Sequence, residues 1–233
     1  MGYVVPIWSI PALPVAGGAD LFPVRRIYCV GRNYAAHVRA MGFDPDREPP
    51  FFFSKPADAI VVCADPAAPP AVAYPPATSN FHHEMELVVA IGKGGADIKL
   101  EAATDHIFGY AAGLDMTRRD LQFAARDKGR PWDMSKGFDQ SAPCGPIAPV
   151  ARIGHPARGR IELKVNGQTR QKADLGELIW NVPETVAYLS GLVRLEPGDL
   201  IYTGTPEGVG PVVRGDLLEG EVEGVGRLSC RIA

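Results

Sequence analysis

The run LVVAI, residues 87 to 91, is the strongest single constraint on how this chain folds. Five apolar residues in succession, with no alternation, read as a strand buried on both faces, which places it inside a sheet with core packed above and below. Just before it, HHEME sets Glu84 and Glu86 two residues apart. On a strand, residues i and i+2 project from the same side, roughly 7 Å apart. Taken alone, a Glu-x-Glu pair fits a solvated edge face. At the mouth of a doubly buried strand, each carboxylate carries a desolvation cost of several kcal/mol unless a cation compensates it.

The other segments surround this strand with further β-structure. RRIYCVG predicts a strand over Ile27–Val30 ended by Gly31, and NYAAHVRAMG a helix with Asn33 as N-cap and Gly42 at its end. FDPDREPP then reads as a polar, proline-rich loop of the kind from which lids are built. FFFSKP and DAIVVC are strand-like, and HIFGYAAGLDMT is a strand ending near Asp115. TRRDLQFAARDKG predicts a helix capped by Thr117 and stopped by Gly129, with Asp120, Asp127 and its arginines facing water. Asn166-Gly167 between alternating segments is a hairpin signal, NVPETVAYLSGLV is one helix, and the chain ends in strands and turns.

These elements predict one β-rich α/β domain over residues 25–233, preceded by an N-terminal arm over 1–24. The opening MGYVVPIWSIPALPV lacks a basic region and is broken by Pro6, Pro11 and Pro14, which favours an ordered arm over a signal peptide. No apolar run approaches the roughly 20 residues that span a bilayer, so no membrane partner is expected. Four cysteines stand singly, with no C-x-x-C pair, as expected of reduced thiols in a cytoplasm. A net charge of −3 with interspersed signs offers no basic stripe for nucleic acid, which leaves small molecules as the expected partners.

A divalent metal answers the problem posed by Glu84 and Glu86. Oxygen donors suit Mg²⁺, Mn²⁺ or Ca²⁺, and such a site calls for a third acid. Asp115 is the candidate, since it ends an apolar strand; a helix-cap role is the alternative for that residue. Of the two histidines, only His82 shares the glutamates' strand face, as a partner behind the ligands. There is no H-E-x-x-H or Cys-His cluster to suggest zinc, and no G-x-S-x-G for a serine nucleophile. His37 and Lys136, taken singly, read as a helix residue and a solvent lysine.

Together the segments VGRNYAAHVRAMG, PPFFFSKP, NFHHEMELVVAIGK, GYAAGLDMTRRDLQ, GRPWDMSKGFD, LKVNGQTRQ and LEPGDLIYTGTPEGVGP resemble the fumarylacetoacetate hydrolase family, most closely its short acylpyruvase branch. The resemblance implies a mixed β-sandwich roll with a few peripheral helices, usually dimeric. It implies Mg²⁺ or Mn²⁺ held by Glu84, Glu86 and Asp115, and a 2-oxo acid substrate held by Arg119, Gln122, Lys136 and Thr205. The implied reaction is hydrolytic cleavage of an acylpyruvate, with fumarylpyruvate and water giving fumarate and pyruvate. In it, Lys136 stabilises the enolate charge and His37 is the general base.

One position departs from the pattern. Acylpyruvases carry a glutamate one helical turn after this histidine, and here that residue is Ala40. Asp44, Asp46 or Glu48 in the adjoining loop are the substitutes within reach along the chain. The departure keeps two other readings open: decarboxylation of oxaloacetate, which needs the same enolate but no attacking water, and binding of 2-oxo acids without catalysis.

Overall fold

The computed structural model describes residues 2–35 and 48–233. The predicted helix after Asn33, with His37 and Ala40, and the loop acids Asp44 and Asp46 lie outside the described residues.

The Met85–Ile91 strand is central to an eight-stranded mixed sheet. It pairs antiparallel with Asp199–Tyr202 on one side and with Ile107–Leu114 on the other. Beyond Asp199–Tyr202 lie Arg26–Gly31, which runs parallel to it, and then Phe51–Lys55 at the edge. Ala142–Cys144 and Ile60–Val62 close the opposite edge. Every residue of the central strand is buried, as the unbroken apolar run predicts. Leu87, Val89 and Ile91 enter one apolar cluster, and Val88 and Ala90 enter the cluster on the other face.

The first cluster is sealed by a five-stranded sheet in the order Gln168–Asp174, Arg160–Val165, Leu217–Val222, Gly226–Ile232 and Ala71–Val72. Its strands alternate: Ile161, Leu163 and Val165 point inward while their neighbours are partly exposed. The Asn166-Gly167 hairpin forms as predicted, with both residues at positive φ (52° and 77°), the geometry a two-residue turn between twisted strands requires. The second cluster is covered by an N-terminal hairpin, Ala12–Pro14 with Leu21–Pro23, which contributes Leu13 and Phe22. Ahead of it, Tyr3, Val4, Val5, Ile7, Trp8 and Ile10 are exposed. The strand-rich architecture is that of the predicted β-sandwich roll, with few helices.

Two local expectations need correction. The helix after Asp115 covers Arg119–Arg126 and has no side-chain cap from Thr117, which instead lies in a two-residue strand with its hydroxyl turned inward. The carboxylate of Asp120 takes over at this end, accepting from Leu121 N–H (2.9 Å), Ser79 N–H (3.0 Å) and the Thr78 hydroxyl (2.6 Å). Nor do the arginines all face water, because Arg119 is 3% exposed. The run of alternating charge in the sequence does not reveal that its first turn plugs a polar interior.

The Val182–Leu192 helix opens on a capping box. Asn181 accepts from Glu184 N–H at 3.0 Å, and the Glu184 carboxylate accepts from Asn181 N–H at 3.0 Å. No described helix is long and apolar enough to cross a membrane. Replacing Asn181 by Ala is expected to lower folding stability by about 1 kcal/mol, read as a lower urea midpoint at unchanged slope.

Candidate metal centre and substrate pocket

Glu84 and Glu86 do not sit on one regular strand. The chain leaves a small three-stranded sheet at His83 and enters the main sheet at Met85, so Glu84 is the residue at which it changes sheets. Asp115 follows the neighbouring strand and its N–H donates to Glu84 O at 2.9 Å, which locks the two segments together. Ligand oxygens of Glu84, Glu86 and Asp115 all lie within 4.8 Å of one another, and the three residues are at most 5% exposed. At that separation, two carboxylates in a medium of effective dielectric about 20 repel by roughly 3 to 4 kcal/mol.

Among the described residues, three cations face this cluster. Lys136 donates to Glu84 Oε2 (2.7 Å), Asp115 Oδ2 (2.8 Å) and the Thr117 hydroxyl (2.7 Å). Far from being a solvent lysine, it is 2% exposed on the short Asp133–Lys136 helix. Burial by itself disfavours its charge, but Asp115 and Glu84 outweigh that and hold its pKa above the ordinary value. Arg119 donates to Glu84 Oε1 and to Gln122 Oε1, both at 2.5 Å, from one face of the Arg119–Arg126 helix. Lys55 ends the Phe51–Lys55 edge strand with its ammonium 2.8 Å from Asp115 Oδ1 and bonded to the Met116 and Lys136 carbonyls.

Glu86 is the outlier. Its hydrogen bond among the described residues is a backbone one, from Gly204 N–H at 2.8 Å. Burial, then the proximity of Asp115 and Glu84, pushes its carboxyl well above the usual range. An all-oxygen donor set in which one carboxylate is bonded to no side-chain cation among the described residues is what a hard divalent ion fits.

Behind the carboxylates stands a polar support. Thr205 donates to Met85 O (2.8 Å) and accepts from Gln171 Nε2 (2.8 Å), while Gln171 Oε1 accepts from Met85 N–H (3.0 Å) and contacts His83 Nδ1 (3.0 Å). His82 packs against the arginine that holds Glu84: its Nδ1 is 3.4 Å from Arg119 Nε and its Nε2 is 2.7 Å from Asn80 Oδ1. Burial, reinforced by Arg119, lowers its pKa to about 4, so it is neutral at pH 7. The pocket in front also carries an aromatic wall, with Phe53 and Trp132 rings 5.7 Å apart and Lys136 Nζ 5.0 Å from the Phe53 ring.

The structure therefore brings Glu84, Glu86, Arg119, Gln122, Lys136 and Thr205 to one pocket, with Asp115 grouped against the two glutamates, whereas His37 lies outside the described residues. Lys55 and Gln171 were not singled out by the sequence. A lysine closing an aromatic strand is a faint signal for the first. Nothing marks Gln171 within an otherwise exposed strand.

Residues 26–233 match the family described as fumarylacetoacetate (FAA) hydrolase, C-terminal. The chain belongs to the fumarylacetoacetate hydrolase family. Within it, the chain is 51% identical over 189 residues to fumarylpyruvate hydrolase of a Ralstonia species, covering 81% of this chain and 95% of that one. It is similar throughout its length to the crystal structure of fumarylpyruvate hydrolase from Pseudomonas aeruginosa in complex with Mn²⁺ and pyruvate. That likeness has 55% identity, a TM-score of 0.97 and coverage of 100% and 99% of the two chains. It is also 42% identical over 201 residues to the mitochondrial oxaloacetate tautomerase of Mus musculus, covering 86% of this chain and 88% of that one.

Replacing Glu86 by Gln removes the repulsion but keeps the shape. The metal-free variant is expected to melt at a higher temperature than the parent, while its affinity for Mn²⁺, followed by electron paramagnetic resonance, falls at least tenfold. In the parent, Mn²⁺ affinity is expected to rise with pH, because the elevated Glu86 carboxyl has to lose its proton before it can ligate. Affinity that is flat between pH 5 and 8 would refute this.

Proposed function

We propose that this family member is a metal-dependent hydrolase of acylpyruvates, cleaving fumarylpyruvate with water to fumarate and pyruvate. The observation that carries this reading is the buried triad of Glu84, Glu86 and Asp115 faced by Lys136, in a chain similar along its whole length to a fumarylpyruvate hydrolase that holds Mn²⁺ and pyruvate. Glu84, Glu86 and Asp115 hold the cation, taken to be Mg²⁺ or Mn²⁺. Bound there, it supplies a Lewis acid toward the oxygens of a 2-oxo acid.

The chain's own residues do the rest. Arg119 and Gln122, bonded to each other, present N–H donors from one helix turn and orient the pyruvyl carboxylate. Thr205 fixes the strand entrance at Met85 and so the pocket floor. Water adds to the carbonyl of the acyl group, giving up its proton to His37 as general base. The bond between that carbon and the pyruvyl methylene then breaks, and its electron pair moves into the pyruvate enolate. Lys136, positive at neutral pH, stands where this negative charge develops and is preorganised by its bonds to Glu84, Asp115 and Thr117. Protonation of the enolate carbon releases pyruvate.

A second reading, decarboxylation of oxaloacetate, is favoured by Ala40 and by the likeness to an oxaloacetate tautomerase, because enolate formation there needs no activated water. We take the protein to be cytoplasmic and to act in the catabolism of aromatic compounds. Four buried cysteines, none in a disulfide, support the compartment. We take it to be a homodimer, for which the exposed apolar side chains of residues 3–10 are the support.

Purified protein with Mg²⁺ or Mn²⁺ is expected to release pyruvate from fumarylpyruvate, measured by a coupled dehydrogenase, and to lose the activity on chelation. Lys136→Met is expected to lower kcat at least a hundredfold with a smaller change in KM, since the ammonium acts mainly on charge that develops during cleavage. Turnover of oxaloacetate but not of fumarylpyruvate would establish the second reading instead.

A further inference from the structure

We propose that Gln171 is a positioning residue that acts through Thr205, fixing that side chain in the pocket and so setting how tightly the metal-loaded centre holds a 2-oxo acid. The inference rests on the reading of the pocket as a metal-dependent 2-oxo acid site. Gln171 belongs to the edge strand of the five-stranded sheet, where residues 168–170 and 172 are exposed, yet it is itself 1% exposed. All four hydrogen-bonding positions of its amide are used. Nε2 donates to the Thr205 hydroxyl oxygen and to Pro206 O, both at 2.8 Å, while Oε1 accepts from Met85 N–H and from His83 Nδ1, both at 3.0 Å. The Met85 N–H and the Pro206 carbonyl permit one orientation of the amide, which in turn places a proton on His83 Nδ1.

The backbone is irregular at the point that turns this side chain inward. From the Asn166-Gly167 turn the hairpin pairs Val165 with Gln168 and Lys164 with Thr169, and a regular continuation would set Arg170 opposite Leu163. The register instead shifts by one residue, and Gln171 lies opposite Leu163. Leu163 faces the core, and residues directly opposite share a face, so the shift exchanges an arginine for a glutamine at an inward position. An extra residue that re-aims a side chain is a use to which bulges beside binding sites are put. The bulge also seats the loop that follows Thr205. A Cβ on Gly208, which has φ 91°, would lie 2.0 Å from the Arg170 carbonyl oxygen, so the loop packs on the bulge at a point where only glycine fits.

The bonds form a closed ring. Gln171 donates to the Thr205 hydroxyl, Thr205 donates to Met85 O, and Met85 N–H donates back to Gln171. The Thr205 hydroxyl is thus held from both sides, beside Glu84, Glu86, Arg119 and Lys136 on the pocket lining. Gln171 is not on that lining, so its influence on a ligand passes through the threonine. Without the amide, the Thr205 hydroxyl keeps one of these two bonds, and the Met85 N–H loses the acceptor that Gln171 supplies.

The test is a double-mutant cycle on pyruvate binding, titrated by calorimetry at saturating Mn²⁺ in the parent, Gln171→Met, Thr205→Val and the double variant. Gln171→Met is expected to weaken pyruvate binding about fivefold or more, the size of one hydrogen bond. The double variant should bind within about twofold of Thr205→Val alone, because the glutamine has no effect left once its threonine partner is gone. Losses that add in the double variant, or pyruvate binding unchanged in Gln171→Met, would overturn the proposal. Should Gln171→Met not fold, Gln171→Glu repeats the cycle with the same expectation, since it keeps the volume and the acceptor oxygen but withdraws the N–H given to Thr205. A parent that binds pyruvate but does not release it from fumarylpyruvate refutes the hydrolase reading and leaves the comparison on Gln171 intact. A parent that binds no pyruvate overturns both.

Discussion

Three carboxylates held within 4.8 Å of one another in the interior repel more strongly than any single favourable contact nearby can offset, and much of the surrounding architecture follows from that constraint. Two lysines and an arginine, from an edge strand and two helices, are drawn into the interior to face them. Thr117 turns its hydroxyl inward to complete the shell of Lys136 and is thereby lost as a helix cap. Each of these residues breaks a local preference, and each break is explained by a charge it approaches.

The turn after the Asp199–Tyr202 strand carries the geometry from one end of the pocket to the other. Thr203 accepts from Asn33, Gly204 donates to Glu86 and packs on Asn33, and Thr205 bonds Met85 and Gln171. Strand Arg26–Gly31 and strand Met85–Ile91, which delivers Glu86, flank Asp199–Tyr202 on its two sides. A turn at the head of the strand between them is the natural place to tie both together.

Charge also ties the pocket to its chemistry. Among the described residues the three carboxylates are faced by Lys55, Arg119 and Lys136, so a divalent cation bound at the triad would add positive charge there, which suits a 2-oxo acid anion and the enolate derived from it. Hydrolases of acylpyruvates and enzymes acting on oxaloacetate share that requirement.

The central buried strand, the hairpin at Asn166-Gly167, the helix begun by Asn181 and the three metal-binding candidates are legible in the sequence, because each depends on local periodicity, backbone preference or an acid placed against an apolar run. Arg119 facing water, Thr117 as a cap and a single strand carrying both glutamates are the readings that failed, all around Asp115. Their local patterns were ordinary, and what overrode them was the field of carboxylates brought in from other strands. Lys55 and Gln171 were hidden for the same reason, being more than thirty residues along the chain from the groups they hold. The sequence by itself determined which segments are strands and which acids have no reason to be buried alone. Tertiary structure decided which cations meet those acids, since burial and electrostatic pairing act between residues that only the folded sheet brings within a few ångströms.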